Sequence, residues 1–198
     1  MRVRIPRQKR SRERMVRITE AARDLFARKG LNGTSSNEIA REAGVSIGTF
    51  YSYFENKRTL FLKILDGHLH AFITDIYSLE TDDTISVKDN IGQHIRKAFS
   101  VFDRHASFHR EALVLKFSDA DVKKLFDKVE QEQLLIISEL IKPYCTRKDP
   151  ETLMEVSKVM HSAVESIAHS VKFLDSPMST ERLIDELTEM IYRYVSSL

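Results

Sequence analysis

The stretch from Thr34 to Lys57 leaves this chain little choice of local structure. Ser35, with Glu38 three residues later, has the form of a capping box, so a helix is predicted from about Ser36. Ile39, Ala40 and Ala43 fall at helical spacing and give that helix a narrow apolar face. Gly44 supplies the left-handed residue that stops a helix sharply, and Val45 is an apolar plug for the turn. Ser46 caps a second helix whose first turn is Ile47, Gly48 and Thr49. Phe50 and Phe54, four apart, point together into a core, while Tyr51 and Tyr53 lie on other faces with hydroxyls to offer. Asn56 caps a third helix that opens with Lys57.

Two short helices joined by a glycine turn form a helix-turn-helix pattern, which places the start of the second helix in the major groove of DNA. A short helical hairpin inside any helical protein is the plainer reading, because a capping box or a glycine stop recurs by chance. Charge bears on the choice. The net charge is only +2, but residues 1–63 hold 15 Lys or Arg against 6 Asp or Glu, and residues 64–198 hold 16 against 23. A basic front and an acidic rear suit a molecule that turns one end towards a polyanion. Arg2, Arg4, Arg7, Lys9, Arg10, Arg12 and Arg14 crowd the start, with Pro6 barring a continuous helix. Residues 1–10 read as a basic arm, with Arg4, Arg7, Lys9 and Arg10 able to follow a minor groove. A solvated tail and a mitochondrial-type presequence are the rival readings of that arm.

Composition bounds the remainder. Among 198 residues there is no Trp, and only six Gly and four Pro punctuate long helix-period stretches without strand alternation. The expected class is all-α, with about nine helices. An N-terminal three-helix domain over 11–56 precedes a helical bundle over 57–198, whose first helix, 57–76, links the two. A polar loop is expected from Leu79 to Ser86, and Ser118 with Asp121 should cap a long helix ending before Pro143. Asp149 and Pro150 should open the next helix. The lone Cys145 forms no intrachain disulfide and suits a reducing compartment. No apolar run approaches the ~18 residues of a membrane span. A cytoplasmic protein without membrane contact is expected.

The last two helices carry long apolar stripes, Leu153 to Val171 and Leu183 to Leu198. Ala163, Ser166, Ile167 and Ser170 on the first, with Leu187, Ile191 and Tyr194 on the second, are candidates for a homodimer face. Docking only within their own subunit is the alternative. His105 and His109 are four apart, as are His161, Glu165 and His169, the spacing of helical metal ligands. Glu165 and His169 fall opposite the apolar stripe, where solvated polar residues belong, so no metal and no cofactor are expected. Phosphate loops, nucleophile elbows and His-Glu-x-x-His runs are absent from the sequence, so no catalytic residues are assigned.

The order capping box, Ala-Gly-Val-Ser, Gly-Thr-Phe-Tyr, Tyr-Phe and Lys resembles the DNA-binding domain of the tetracycline-repressor (TetR) family. The resemblance reaches back through Ile18 to Lys29, with Ala21, Ala22, Leu25 and Phe26 before Gly30, and covers roughly residues 11 to 65. It implies DNA phosphate contacts at Thr34 and Ser35, at Tyr51 and Tyr53, and at Lys57 on a positive helix end. It implies that Ser46, Ile47, Gly48 and Thr49 meet the groove. Relatives often carry a basic or polar residue where this chain has Ile47, which can pack only on a thymine methyl. The resemblance also implies an effector cavity in the middle helices, for which Phe72, Phe99, Phe102, Phe108 and Phe117 are the bulky candidates. The function so implied is a homodimeric repressor on a palindromic double-stranded operator, released by an unidentified small molecule. A DNA-bound adaptor or activator controlled by a protein partner, and a helical enzyme or carrier, are the alternatives.

Overall fold

The computed structural model describes residues 9–79, 84–146, 149–174 and 176–197. Among them the chain is all-helical. The helices are α1 Lys9–Lys29, α2 Ser36–Glu42, α3 Ile47–Tyr53, α4 Lys57–Ile76, α5 Val87–Val101, α6 Ala106–Lys116, α7 Ala120–Ile141, α8 Pro150–Phe173 and α9 Thr180–Ser196. A short 3-10 turn, Lys142–Tyr144, follows α7. No helix among the described residues is long and apolar enough to cross a membrane. Helix α1 begins at Lys9, so Lys9 and Arg10 are helical rather than part of an extended arm. Nothing after Pro6 interrupts the helical pattern there. Arg4 and Arg7 lie outside the described residues, as do positions 80–83 of the expected polar loop.

The chain divides into two compact units, and the division differs from the boundary expected at 56/57. The first unit holds the chain up to Leu69 together with His105–Leu125; the second holds His70–Arg104 and Phe126 onward. Aromatic packing explains why a distant segment joins the first unit. Phe61 of α4 meets Phe26 of α1 edge-on at 5.2 Å between ring centroids and Phe108 of α6 at 5.4 Å. All three rings are buried. Such pairs add to the large area each ring removes from water. Ile18, Ala22 and Leu25 of α1, Ile39 of α2 and Phe50 of α3 complete this core.

Phe108 therefore belongs to the core of the first unit and not to an effector cavity. Phe117, at the C-terminal cap of α6, is 88% exposed and lines no cavity. Both were candidates for the cavity that the family resemblance implies, but their separation of nine residues puts them on opposite sides of one helix, Phe108 towards Phe61 and Phe117 in solvent.

Polar contacts reinforce the same attachment. Asp119 caps α7, its Oδ1 accepting from the amides of Asp121 at 3.0 Å and Val122 at 3.2 Å, one residue later than the expected Ser118 cap. Asp119 also forms a two-pronged pair with Arg58 of α4, with Nη2 2.9 Å from Oδ1, and Arg58 reaches Asp121 at 2.8 Å. An acid fits this cap better than a serine because it satisfies amides and guanidinium together.

The second unit is built on α5, α8 and α9. Ile95 and Phe99 of α5, Leu153, Val156 and Ala168 of α8, and Ile184, Leu187, Ile191 and Val195 of α9 share one core. Leu187 and Ile191 are consequently spent within the subunit and are withdrawn from the dimer face. The apolar stripe of α9 is wide enough for two neighbours, and its inner half covers α5. Ala163, Ile167, Ser170 and Tyr194 remain partly exposed and Ser166 is exposed, alongside the exposed Val159 and Met190. Phe72, Phe99 and Phe102 lie in this core, with Phe72 and Phe102 4.6 Å apart.

The Arg58 pair makes stability depend on pH. The guanidinium beside Asp119 holds its carboxyl at about 2, below the usual carboxylate range. A depressed pKa in the folded state stabilises fully above about pH 4 and is lost as pH falls towards 2. Urea unfolding should show stability declining across that window, and Asp119→Asn should be less stable at pH 7 by about 1 kcal/mol while losing part of the decline.

Candidate nucleic-acid interface

The helix-turn-helix is assembled from short-range bonds. Ser35 Oγ accepts the Glu38 amide at 3.2 Å and starts α2. The Glu38 carboxyl is held below its ordinary range, first by the Lys29 ammonium and further by the Ser35 backbone amide. At the far end Gly44 adopts φ +63°, and the Val45 amide donates back to Ala40 O at 3.0 Å. That is the left-handed stop expected of the sequence. Ser46 Oγ accepts the Thr49 amide at 3.1 Å and pairs with the Thr49 hydroxyl at 2.9 Å. Phe50 and Phe54 are buried beneath α3, and the Phe50 ring supports Tyr51 edge-on at 5.3 Å.

The open face of α3 consists of Ile47, Gly48 and Tyr51, all exposed, with Ser52 at its edge. Ser46 is exposed just before it. Sequence reasoning found these residues. It did not find Arg17, whose Nη1 lies 3.7 Å from the point where a side chain on Gly44 would begin. Nor did it find Arg41, exposed on α2. Both add positive charge beside the turn. Arg17 stands three residues beyond Arg14 in the same basic run, so the signal for it was a continuation of charge along one helix.

Three assigned phosphate ligands are engaged within the protein instead, two of them buried and Lys57 half-buried. Thr34 is 2% exposed, and its hydroxyl donates to Gly30 O at 2.8 Å. Tyr53 is buried with its hydroxyl against Ser11 Oγ at 2.7 Å. The Lys57 ammonium donates to the carbonyl oxygens of Leu31 at 2.8 Å, Asn32 at 3.4 Å and Thr34 at 2.7 Å. An ammonium has three donors and no acceptor, so this loop of carbonyls engages it fully. The three residues hold the segment between α1 and α2 in shape, and their assignment to phosphate is corrected accordingly.

Residues 18–64 match the bacterial regulatory proteins, tetR family. This is the N-terminal domain of the TetR family. The chain is 30% identical over 142 residues, 68% of its length, to the HTH-type transcriptional regulator YuxN of Bacillus subtilis. It is 36% identical over 70 residues to the HTH-type transcriptional regulator SAB2452 of Staphylococcus aureus. The matched regions span 47% and 38% of those relatives, so the chain covers less than half of each. Solved structures share the fold across both units. A transcriptional regulator from Rhodococcus sp. Rha1 superposes with a TM-score of 0.70 at 19% identity, covering 92% of this chain and 98% of that one. The fatty acid degradation regulator FadR of Bacillus halodurans gives 0.68 at 18%, covering 94% and 96%. The proteins matched in sequence are named as transcriptional regulators, not enzymes.

The inward role of Lys57 separates cleanly from a phosphate contact. Lys57→Met leaves carbonyls without their donor and should cost about 1–3 kcal/mol in denaturant unfolding. The salt dependence of DNA binding should keep its slope, whereas loss of a true phosphate contact would reduce that slope by about one unit.

Proposed function

We propose that the chain is a DNA-binding transcriptional regulator, acting as a homodimeric repressor on a palindromic operator and released by a small-molecule effector held in the second unit. The observation that carries the DNA-binding reading is the open face of α3, where Ile47, Gly48 and Tyr51 stand free while every larger neighbour is packed inward. Arg17 and Arg41 supply positive charge at the turn, and Lys9, Arg10, Arg12 and Arg14 are exposed at the start of α1. Ser46, Ile47, Gly48, Thr49 and Tyr51 meet the groove in this reading, with Arg17 and Arg41 on phosphates. The dimer reading is supported by the surface of α8 and α9 at Val159, Ala163, Ser166, Ser170, Met190 and Tyr194. One short helix reads few bases, and a second copy about 34 Å away reads the other half of a palindrome. The effector reading rests on family resemblance and on the aromatic core around Phe72, Phe99 and Phe102.

One observation favours a second reading, control by a protein partner. Val114, 63% exposed, and Phe117, 88% exposed, lie three apart at the C-terminal end of α6. A partner's apolar surface could cover both side chains together.

Selection of duplexes by the protein from a random-sequence pool should return an inverted repeat with half-sites one helical turn or a multiple apart; a pool with no repeat would sink the dimeric operator. Against the best duplex, Arg17→Ala and Arg41→Ala should each weaken binding irrespective of sequence and lower the salt slope by about one. Ile47→Ala should instead relax base preference at one position per half-site, at a cost of about 1 kcal/mol. Compounds that bind the protein should lower operator affinity; if all of them left it unchanged, release by effector would be wrong and the partner reading would stand.

A further inference from the structure

The segment between α1 and α2 is held from two sides by charged side chains, and one of them comes from far along the chain. Gly30, at φ +71°, turns the backbone out of α1, so the next amide, that of Leu31, has left the helix and its carbonyl acceptors. Glu111 of α6 provides the acceptor, with Oε1 3.0 Å from Leu31 N across 80 residues of sequence. The carbonyl of the same residue accepts from Lys57 of α4 at 2.8 Å, and its side chain is 6% exposed. Both backbone groups of Leu31 are thus satisfied by side chains of two different helices.

The approach of Glu111 is built into the site. A Cβ on Gly30 would sit 2.7 Å from Glu111 Oε1 and 3.2 Å from its Cδ. The positive φ favours glycine at position 30, and a side chain there would displace the Glu111 carboxylate from its present place. Helix α6 is itself fixed at several points. Its leading residue, His105, meets Arg23 of α1 at 3.3 Å, and His109 Nδ1 lies 3.1 Å from His68 Nε2 of α4 in a buried contact. Phe108 packs on Phe61, and just beyond α6 Asp119 is gripped by Arg58. A carboxylate carried on so well anchored a helix is a fixed reference point for the loop. From that loop α2 starts at Ser36, and α3 follows through the Gly44 turn.

We infer that Glu111 is a positioning residue for DNA binding: its carboxylate holds the Leu31 amide and so sets where α2 and α3 stand, without touching DNA. A hydrogen bond to a charged acceptor in a part-buried place is among the stronger ones available for this. The inference rests on the DNA-binding reading above, and its test separates the two.

The probe is the tightest duplex that the wild-type chain selects from a random pool. Glu111→Ala should bind it about tenfold more weakly at a temperature where circular dichroism shows the variant folded, with the salt slope unchanged. Glu111→Gln keeps a carbonyl oxygen within reach of Leu31 and should bind within about threefold of wild type. Hydrogen exchange at the Leu31 amide should speed up in Glu111→Ala and not in Glu111→Gln. Should Glu111→Ala fail to fold, Glu111→Asp takes its place, since it keeps the charge but withdraws the oxygen, and weaker binding is again expected. Faster exchange at Leu31 with unaltered affinity would overturn the inference. So would tighter binding by both the Ala and Gln variants, which would make Glu111 a mere repulsive charge. Failure of the wild-type chain to select any duplex would remove the DNA-binding reading itself, and the positioning role with it.

Discussion

The ammonium of Lys57, lodged among the carbonyls of Leu31, Asn32 and Thr34, is the contact on which the rest of the DNA-binding unit depends. A chain that leaves one helix at Lys29 and enters another at Ser36 carries backbone groups that neither helix can satisfy. In most proteins such groups turn to water. Here several turn inward, with Leu31 and Thr34 buried. A cation with three donors meets three acceptors, the Thr34 hydroxyl donates to the carbonyl of Gly30, and Glu111 accepts from the Leu31 amide. The segment becomes as rigid as the helices it joins.

That rigidity gives the surface beyond it a defined shape. Helices α2 and α3 are seven residues each, too short to persist alone, so their position comes from packing and caps. Ser35 and Ser46 spend their hydroxyls on capping, Phe50 and Phe54 anchor α3 from below, and Tyr53 is tied to Ser11 of α1. What stays free is small: an isoleucine, a glycine and a tyrosine. On the proposed function, base reading by so sparse a face is supplemented by phosphate contacts, by DNA shape and by a second copy.

The second unit follows a different logic. Its core is continuous and apolar, and α9 divides its stripe between α5 inside and open surface outside. The open part of α8 is lined with serine and alanine, side chains that let another backbone come near. Helices α4 and α7 each contribute residues to both units. The chain is thereby continuous between the place where DNA is proposed to bind and the place where an effector is proposed to bind, by two helices rather than one.

Much of this was decided within short windows of sequence. The capping serines, the left-handed Gly44, the helical class, the Asp149–Pro150 helix start and the exposed Ile47 all depend on residues within a turn or two of one another, and local stereochemistry is enough to read them. The roles of Thr34, Tyr53 and Lys57 were not legible in that way. A hydroxyl or an ammonium looks the same in sequence whether it faces solvent or a loop of carbonyls, and only the burial of Leu31 and Thr34 turned these groups inward. Phe108 and Phe117, nine residues apart, fall on opposite sides of one helix, and contact with Phe61 settled which side faces the core. The membership of residues 105–125 in the first unit was likewise beyond local pattern. Glu111, Asp119 and His109 find partners in the segment after α1 and on α4, across 41 to 80 residues. Local sequence thus determined which helices form and where they stop; tertiary structure alone decided which polar groups are left to meet DNA, because exposure depends on neighbours that are distant in sequence.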